Sequence, residues 1–253
     1  QVLGPVFKKA HSAVGVSSGA HNMLSAFLGN QQTRELWVKI MPSKEIFDIR
    51  RLWLGRYPAN TKYLVDEHFR RCNLDELPNV RTNLYVGTFD VWSAETEFHR
   101  LQKDNARLLM EATIGYPFFA PFAKFNDKLL GDGGIARTPL DFMIDLGIKK
   151  IIVLDTYPAG KTARDHSWVE SIMAFPHPKM SKARKKLRSR GEMYRRAAAL
   201  AANPPPGVEL LWLSPEMRLP TFHGDADSVN ELWKKGERAA TKWSDGIIDF
   251  VEK

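Results

Sequence analysis

The segment His11-Ser12-Ala13-Val14-Gly15-Val16-Ser17-Ser18-Gly19-Ala20 joins a strand to a helix through a sharp turn. Residues 11–16 are mostly small or β-branched and read as a short buried strand running straight into Ser17. Residues 20–28 read as a helix, and Gly29-Asn30 supplies its stop. Between them, Gly15-Val16-Ser17-Ser18-Gly19 fits the nucleophile-elbow pattern G-x-S-x-G. Such a turn is tight and strained, so side chains at Gly15 and Gly19 are expected to collide with neighbouring backbone. The following helix aims backbone N–H groups and positive partial charge at the serine. Ser17 is therefore the expected nucleophile, and Ser18 the residue whose backbone N–H helps hold an oxyanion.

Outward from the elbow, strands and helices interleave. Residues 31–75 read as largely helical, 83–91 (NLYVGTFDV) as a strand and 102–112 as a helix. A proline-aromatic loop, 115–122, precedes Leu129-Leu130-Gly131-Asp132-Gly133-Gly134. A helix begins at Pro139, an apolar strand spans 149–154, and a long basic helical region spans 179–202. Asn203-Pro204-Pro205-Pro206-Gly207 ends that helix, and 208–213 (VELLWL) forms a further strand. The tail over 227–243 is amphipathic, with Val229, Leu232 and Trp233 on one side.

With 253 residues, 43% of them hydrophobic, the chain can bury a full core. No apolar run approaches the roughly 18 residues of a membrane-spanning helix. A single cysteine, Cys72, rules out an intramolecular disulfide and any zinc site built on several thiolates. This usage fits a cytoplasmic location. The net charge of +8 concentrates in residues 179–191, where Lys182, Lys185, Lys186 and Arg190 fall near one face at helical spacing. That face is expected to be solvated and able to settle peripherally on an anionic membrane surface. No zinc-finger spacing or aromatic RNA-binding signature accompanies it, so nucleic acid is not an expected partner.

A serine nucleophile needs a base. Among the seven histidines, His223 beside Gly224 is the one that the α/β-hydrolase order of serine, acid and histidine would use. That fold needs earlier strands than the 16 residues before Ser17 supply, and no acid-bearing loop stands just before His223. His21, next to the elbow, reads as a helix-surface residue. The other choice is Asp132, flanked by Gly131, Gly133 and Gly134. An aspartate among glycines is a turn residue by default, but here the loop 112–121 comes shortly before it.

Taken in order, these motifs resemble the patatin-like phospholipases, in particular their bacterial subgroup. Gly15, Ser17 and Gly19 match the family's elbow, and Asp132, Gly133 and Gly134 match its D-G-[GA] motif. Ala112-Thr113 with Pro117 and Pro121 match the segment between them, and the small-residue helix after the elbow, the basic helix and the P-P-G break also recur. The likeness spans residues 1–245. It implies one domain over residues 1–253, with 179–253 as its helical and strand C-terminal part. The implied fold is a three-layer α/β/α sandwich with a mixed, mainly parallel central sheet. The implied activity is hydrolysis of a phospholipid or lysophospholipid ester through an acyl-serine, with Asp132 as base and no cofactor or metal. Tyr116, Phe118, Phe119 and Phe122 either line an acyl pocket or pack their own loop, and their apolar surface is expected to raise the carboxyl pKa.

One family element has no counterpart. The glycine-rich oxyanion loop that should follow a first strand well before the serine is missing, and residues 2–10 read as the end of the helix after it. The first strand and this loop are therefore expected to lie outside the sequence. Two rival readings remain: a Ser-His-Asp esterase using His223, and a non-catalytic lipid-binding relative.

Overall fold

A computed structural model describes residues 4–29, 32–158, 164–216 and 225–252. The strands are β1 (Ser12–Val16), β2 (Asn83–Asp90), β3 (Glu95–Arg100), β4 (Ala123–Phe125), β5 (Lys128–Asp132), β6 (Lys150–Leu154) and β7 (Glu209–Leu213). The first five helices are α1 (Gly4–Phe7), α2 (Ser18–Leu28), α3 (Thr33–Glu35), α4 (Thr61–Phe69) and α5 (Ala106–Ala112). The rest are α6 (Pro139–Asp145), α7 (Trp168–Ala174), α8 (Ser181–Arg188), α9 (Arg190–Ala202) and α10 (Ala226–Glu252). The region expected to be largely helical is helical in short pieces: α3 runs on as a π-helical turn, and 3-10 turns cover Ile49–Leu54 and Leu74–Asn79.

The central sheet has five strands. β1 pairs parallel with β2, while β2–β3, β2–β5 and β4–β5 pair antiparallel. β6 and β7 form a separate parallel pair. The expectation of a mainly parallel sheet is therefore corrected: the central sheet is mixed, and antiparallel pairs dominate it. Connection length is the reason. Four residues separate β2 from β3 and two separate β4 from β5, with Ala94 and Asn126 at positive φ making the turns. Chains that return so quickly can pair only antiparallel, whereas parallel pairing needs a long crossover.

Register along β2 positions the candidate site. β3 runs along one edge of β2, opposite residues 85–90. The other edge is shared, with β1 opposite residues 83–87 and β5 opposite 88–90. β1 and β5 thus meet head to head, Val16 opposite Gly87 and Asp132 opposite Thr88.

Period-two alternation places helices on both faces of this sheet. On one face Ala13, Leu84 and Val86 join Ala20, Leu24, Val65, Leu109 and Met110 of α2, α4 and α5 in a single core. Complete burial of a leucine such as Leu24 contributes about 1.5–3 kcal/mol. On the other face Tyr85 meets Phe142 of α6 with ring centroids 5.1 Å apart, and Phe89 meets Phe175 at 6.1 Å. Val14 packs with α6 and with β6. α6 starts where expected because Thr138 and Asp141 form a capping box and Pro139 fits the first turn. The architecture is mixed α/β, with helices around a mixed sheet, and is compatible with an α/β sandwich.

The basic region divides at Ser189 into α8 and α9. Ala183 and Leu187 bury one side of α8, while Lys182 and Lys185 stay exposed on the other. Arg190 does not belong to that solvated face. It opens α9 and turns inward, for the reason given below. Among the described residues, no helix is long and apolar enough to cross a membrane.

Candidate functional site

Ser17 stands at the end of β1 with φ 53° and ψ −130°, a backbone conformation that non-glycine residues rarely adopt. Two features hold it there. A Cβ at Gly15 would lie 2.5 Å from the Cα of Ala20, so only glycine lets α2 turn back this closely on β1. The Ser17 N–H donates to Thr113 Oγ1 at 2.8 Å, and the Thr113 hydroxyl donates to the Gly87 carbonyl at 2.7 Å. Thr113 is fully buried at the end of α5 and ties the strained turn to the central strand. The expected collision does not extend to Gly19, where a Cβ would meet nothing within 4 Å. Helix α2 has already begun at Ser18, so Gly19 lies beyond the crowded part of the turn.

The Ser17 N–H is committed to Thr113 and cannot also serve an oxyanion. The Ser17 side chain makes no capping bond to α2. The first-turn donors of that helix, Ser18 among them, therefore keep the polarity that favours an anion.

Asp132 reaches the same place from the opposite direction. It is buried at the end of β5, where its N–H donates to the Gly115 carbonyl at 3.0 Å and its Oδ1 accepts from the Gly134 N–H at 2.8 Å. Gly133 makes this possible, since a Cβ there would lie 2.5 Å from the carbonyl carbon and oxygen of Gly87. Thr96 Oγ1 donates to the Gly133 carbonyl at 2.8 Å and fixes the loop from the β3 side. The Ser17 side chain lies close enough to the Asp132 carboxylate to favour its ionised form. Burial raises the carboxyl pKa above its usual range; Arg190, the Gly134 N–H and the Ser17 hydroxyl oppose that rise without cancelling it. The structure thus brings the two predicted residues together, with a carboxylate made more basic by desolvation.

Sequence reading missed the cation beside them. Arg190 Nε donates to the Gly134 carbonyl at 2.8 Å, and the guanidinium lies over the rings of Tyr194 and Tyr116 at 5.2 and 5.5 Å. Burial pulls its pKa down, but Tyr194, Tyr116 and Asp132 outweigh that effect and leave it raised. Burial likewise pushes the Tyr116 phenol up to about 12. No sequence signal separated Arg190 from the basic residues around it, because only the break at Ser189 redirects it.

Of the aromatic loop, Tyr116, Phe118 and Phe122 pack against the core around Phe89, Val91 and Phe175. Phe122 stacks on Phe175 at 5.8 Å. Phe119 stacks on Tyr116 and also meets Phe47, with ring centroids 6.3 Å from each. These contacts hold the loop that supplies the Gly115 carbonyl to Asp132.

No described histidine hydrogen-bonds Ser17. His21 is not the surface residue expected. It is buried, and its Nδ1 lies 2.7 Å from Nδ1 of the equally buried His68. The surroundings set one proton order. His21 Nε2 faces the Met110 carbonyl at 3.2 Å and must donate, so its Nδ1 accepts from His68 Nδ1–H. His68 Nε2 then accepts from Ser25 Oγ at 2.9 Å. Burial is the main cause that lowers the pair, to about 4 for His21 and about 2 for His68. His223 lies outside the described residues. Cys72 is buried, its thiol pushed up to about 12 by desolvation, which leaves it unreactive. Among the described residues no three His, Cys, Asp or Glu side chains gather as a metal-holding group.

No protein-family model matches the chain, and no curated protein matches it either.

Proposed function

We propose that the protein is a serine-dependent lipid acyl hydrolase of patatin-like type, acting through Ser17 and Asp132. The meeting of Ser17 at the end of β1 with the buried Asp132 carboxylate at the end of β5, on adjacent register positions of β2, is the observation that carries this reading. The serine sits on a strained strand-to-helix turn, as an exposed nucleophile requires. In the first step Ser17 Oγ attacks the ester carbonyl carbon and passes its proton to Asp132, and the carbonyl oxygen takes the negative charge. First-turn donors of α2 stabilise that charge. Collapse breaks the ester bond, Asp132 returns the proton to the departing alcohol oxygen, and an acyl-serine remains. Water then attacks the acyl carbon and gives its proton to Asp132; the bond from that carbon to Ser17 Oγ breaks, Asp132 returns the proton to Oγ, and the fatty acid leaves.

The reading is tested by hydrolysis of a short p-nitrophenyl ester and of a lysophospholipid. The chain is compared with its Ser17→Ala, Asp132→Asn and His223→Ala variants, all four checked for folding by circular dichroism. Turnover that disappears in the first two and survives in the third supports the dyad. Loss in Ser17→Ala and His223→Ala alone points to a triad esterase instead. Folded proteins with no turnover at all point to a non-catalytic lipid-binding relative.

A further inference from the structure

We propose that two exposed apolar surfaces, both attached to the aromatic loop 115–122 that supports Asp132, dock the protein on an anionic bilayer. The first is the 3-10 turn Ile49–Leu54, where Trp53 is 91% and Leu54 72% exposed, beside half-exposed Leu52. Ile49, Leu52 and Trp53 line a depression of about 340 Å³ that opens to solvent. The second is the outer face of α7, where Trp168 is 64% and Met173 65% exposed, with Ile172 between them. Only the opposite side of α7, at Ser171 and Ala174, is buried. Apolar patches this open, built around tryptophan, mark interaction surfaces.

The tip is held open by its own hydrogen bonds. Asp48 accepts from the Arg50 N–H at 3.0 Å, and Gly55 closes the turn in the left-handed region at φ 65°. The legs are tied by Asp48 N–H to the Pro58 carbonyl at 3.0 Å, and the Arg51 guanidinium donates to the Glu45 carbonyl at 2.9 Å. Leu52, Trp53 and Leu54 are thus presented to solvent by a braced turn whose charged Arg51 faces inward.

Both surfaces attach to the same loop. On one side the Ala59 N–H donates to the Phe119 carbonyl at 2.8 Å. On the other, His166, two residues before α7, shares a 2.9 Å hydrogen bond with the Tyr116 hydroxyl. That loop also supplies the carbonyl that receives the Asp132 N–H. Docking through the two surfaces would bring this loop to the lipid, a consequence that rests on the hydrolase reading; the binding itself does not.

Charge decides the occupant. Lys44 and Arg56 beside the tip, and Lys182 and Lys185 on α8, which packs against α7, form no ion pair among the described residues. The whole chain carries +8. A second copy would bring the same charge and be repelled, whereas anionic headgroups complement the cations while tryptophan settles at the interface.

The test uses the full chain as Ser17→Ala, so that lipid is not consumed, and measures sedimentation with vesicles. Vesicles of phosphatidylcholine alone are compared with vesicles of phosphatidylcholine mixed with phosphatidylglycerol. The expected result is binding to the mixed vesicles that weakens with salt, together with a blue shift of tryptophan emission. The pairs Trp53→Ser with Leu54→Ser, and Ile172→Ser with Met173→Ser, should each weaken binding about tenfold or more, since each removes two side chains from the apolar phase. Circular dichroism confirms that the variants fold. Binding indifferent to both pairs overturns the proposal, as does no binding to either vesicle. Self-association without lipid that both pairs abolish also overturns it and assigns the surfaces to a second copy. Turnover of a soluble ester by the unsubstituted chain tests the hydrolase reading separately, so the two can fail independently.

Discussion

Gly87 and Thr88 are consecutive on β2, yet Gly87 pairs with Val16 of a parallel strand and Thr88 with Asp132 of an antiparallel one. That change of partner across one peptide bond sets the serine and the aspartate face to face. It also concentrates the supporting contacts: the Gly87 carbonyl accepts from Thr113 and lies against Gly133. A displacement at this point of β2 would move both Ser17 and Asp132.

Thr113→Val keeps the shape of the buried side chain but removes the acceptor for the Ser17 N–H. The unsatisfied N–H destabilises the fold by about 1–3 kcal/mol. The freed elbow loses its alignment, and kcat for ester hydrolysis should fall by up to about 10²-fold. Thr113→Ser, which retains the hydroxyl, should recover most of both. Steady-state kinetics with thermal melts on the two variants decide the matter.

The elbow's two glycines should behave differently. Gly15→Ala forces a Cβ to within 2.5 Å of the Ala20 backbone and should abolish activity with a marked loss of stability. Gly19→Ala enters open space inside a helix and should be neutral or stabilising, by up to about 1 kcal/mol. Equal damage from both would mean that the helix does not begin at Ser18.

Asp132→Asn should be inactive and yet more stable than the parent. Burial raises the carboxyl pKa, so keeping it ionised at neutral pH opposes folding. A group raised in this way stabilises fully below its unfolded pKa of 3.8 and loses that contribution as pH rises through the folded value. Asparagine keeps an oxygen for the Gly134 N–H without the charge. A gain of about 0.5–2 kcal/mol is expected at pH 7, read by chemical denaturation.

Arg190 should set the acidic limb of the pH–rate profile. Its positive charge favours the ionised form of Asp132, so Arg190→Gln raises the carboxyl pKa further and moves the limb to higher pH. Arg190→Lys keeps the charge but loses the planar Nε contact to Gly134, so it should leave the limb nearer its place while lowering kcat. A purely structural arginine would lower activity in both variants without moving the limb.

The buried histidine pair makes the fold acid-sensitive. Its pKa values, about 4 and about 2, lie below the ordinary 6.5, so the unfolded chain binds protons first as pH falls. Stability from the pair is whole above pH 6.5 and declines from there toward pH 4. His68→Leu leaves His21 Nδ1 without its donor and should destabilise by about 1–3 kcal/mol. Melting temperature followed across this pH range should lose much of its slope in that variant.

What was legible in the sequence was local. The elbow, the capped start at Pro139 and the apolar strand at residues 150–154 each carry their signal within a few residues. Pairing does not. Glu95-Thr96-Glu97-Phe98-His99-Arg100 is too charged to announce a strand, yet it lines β2 because the turn at Ala94 returns it there. His21 looked like a surface residue because its partner His68 lies on another helix. Arg190 looked like one more solvated cation because helical spacing cannot show that α8 ends before it. Asp132 could be found by its glycines, but only the shared edge of β2 explains how it meets Ser17.

That shared edge also sets when the protein can begin to work. Ser17 and Asp132 lie far apart in sequence and neither touches the other until both flanking strands have docked on β2. Contacts between distant segments form late, after local helices and turns. During refolding from denaturant, recovery of ellipticity should therefore run ahead of recovery of ester hydrolysis, and the lag between them times the closing of the sheet.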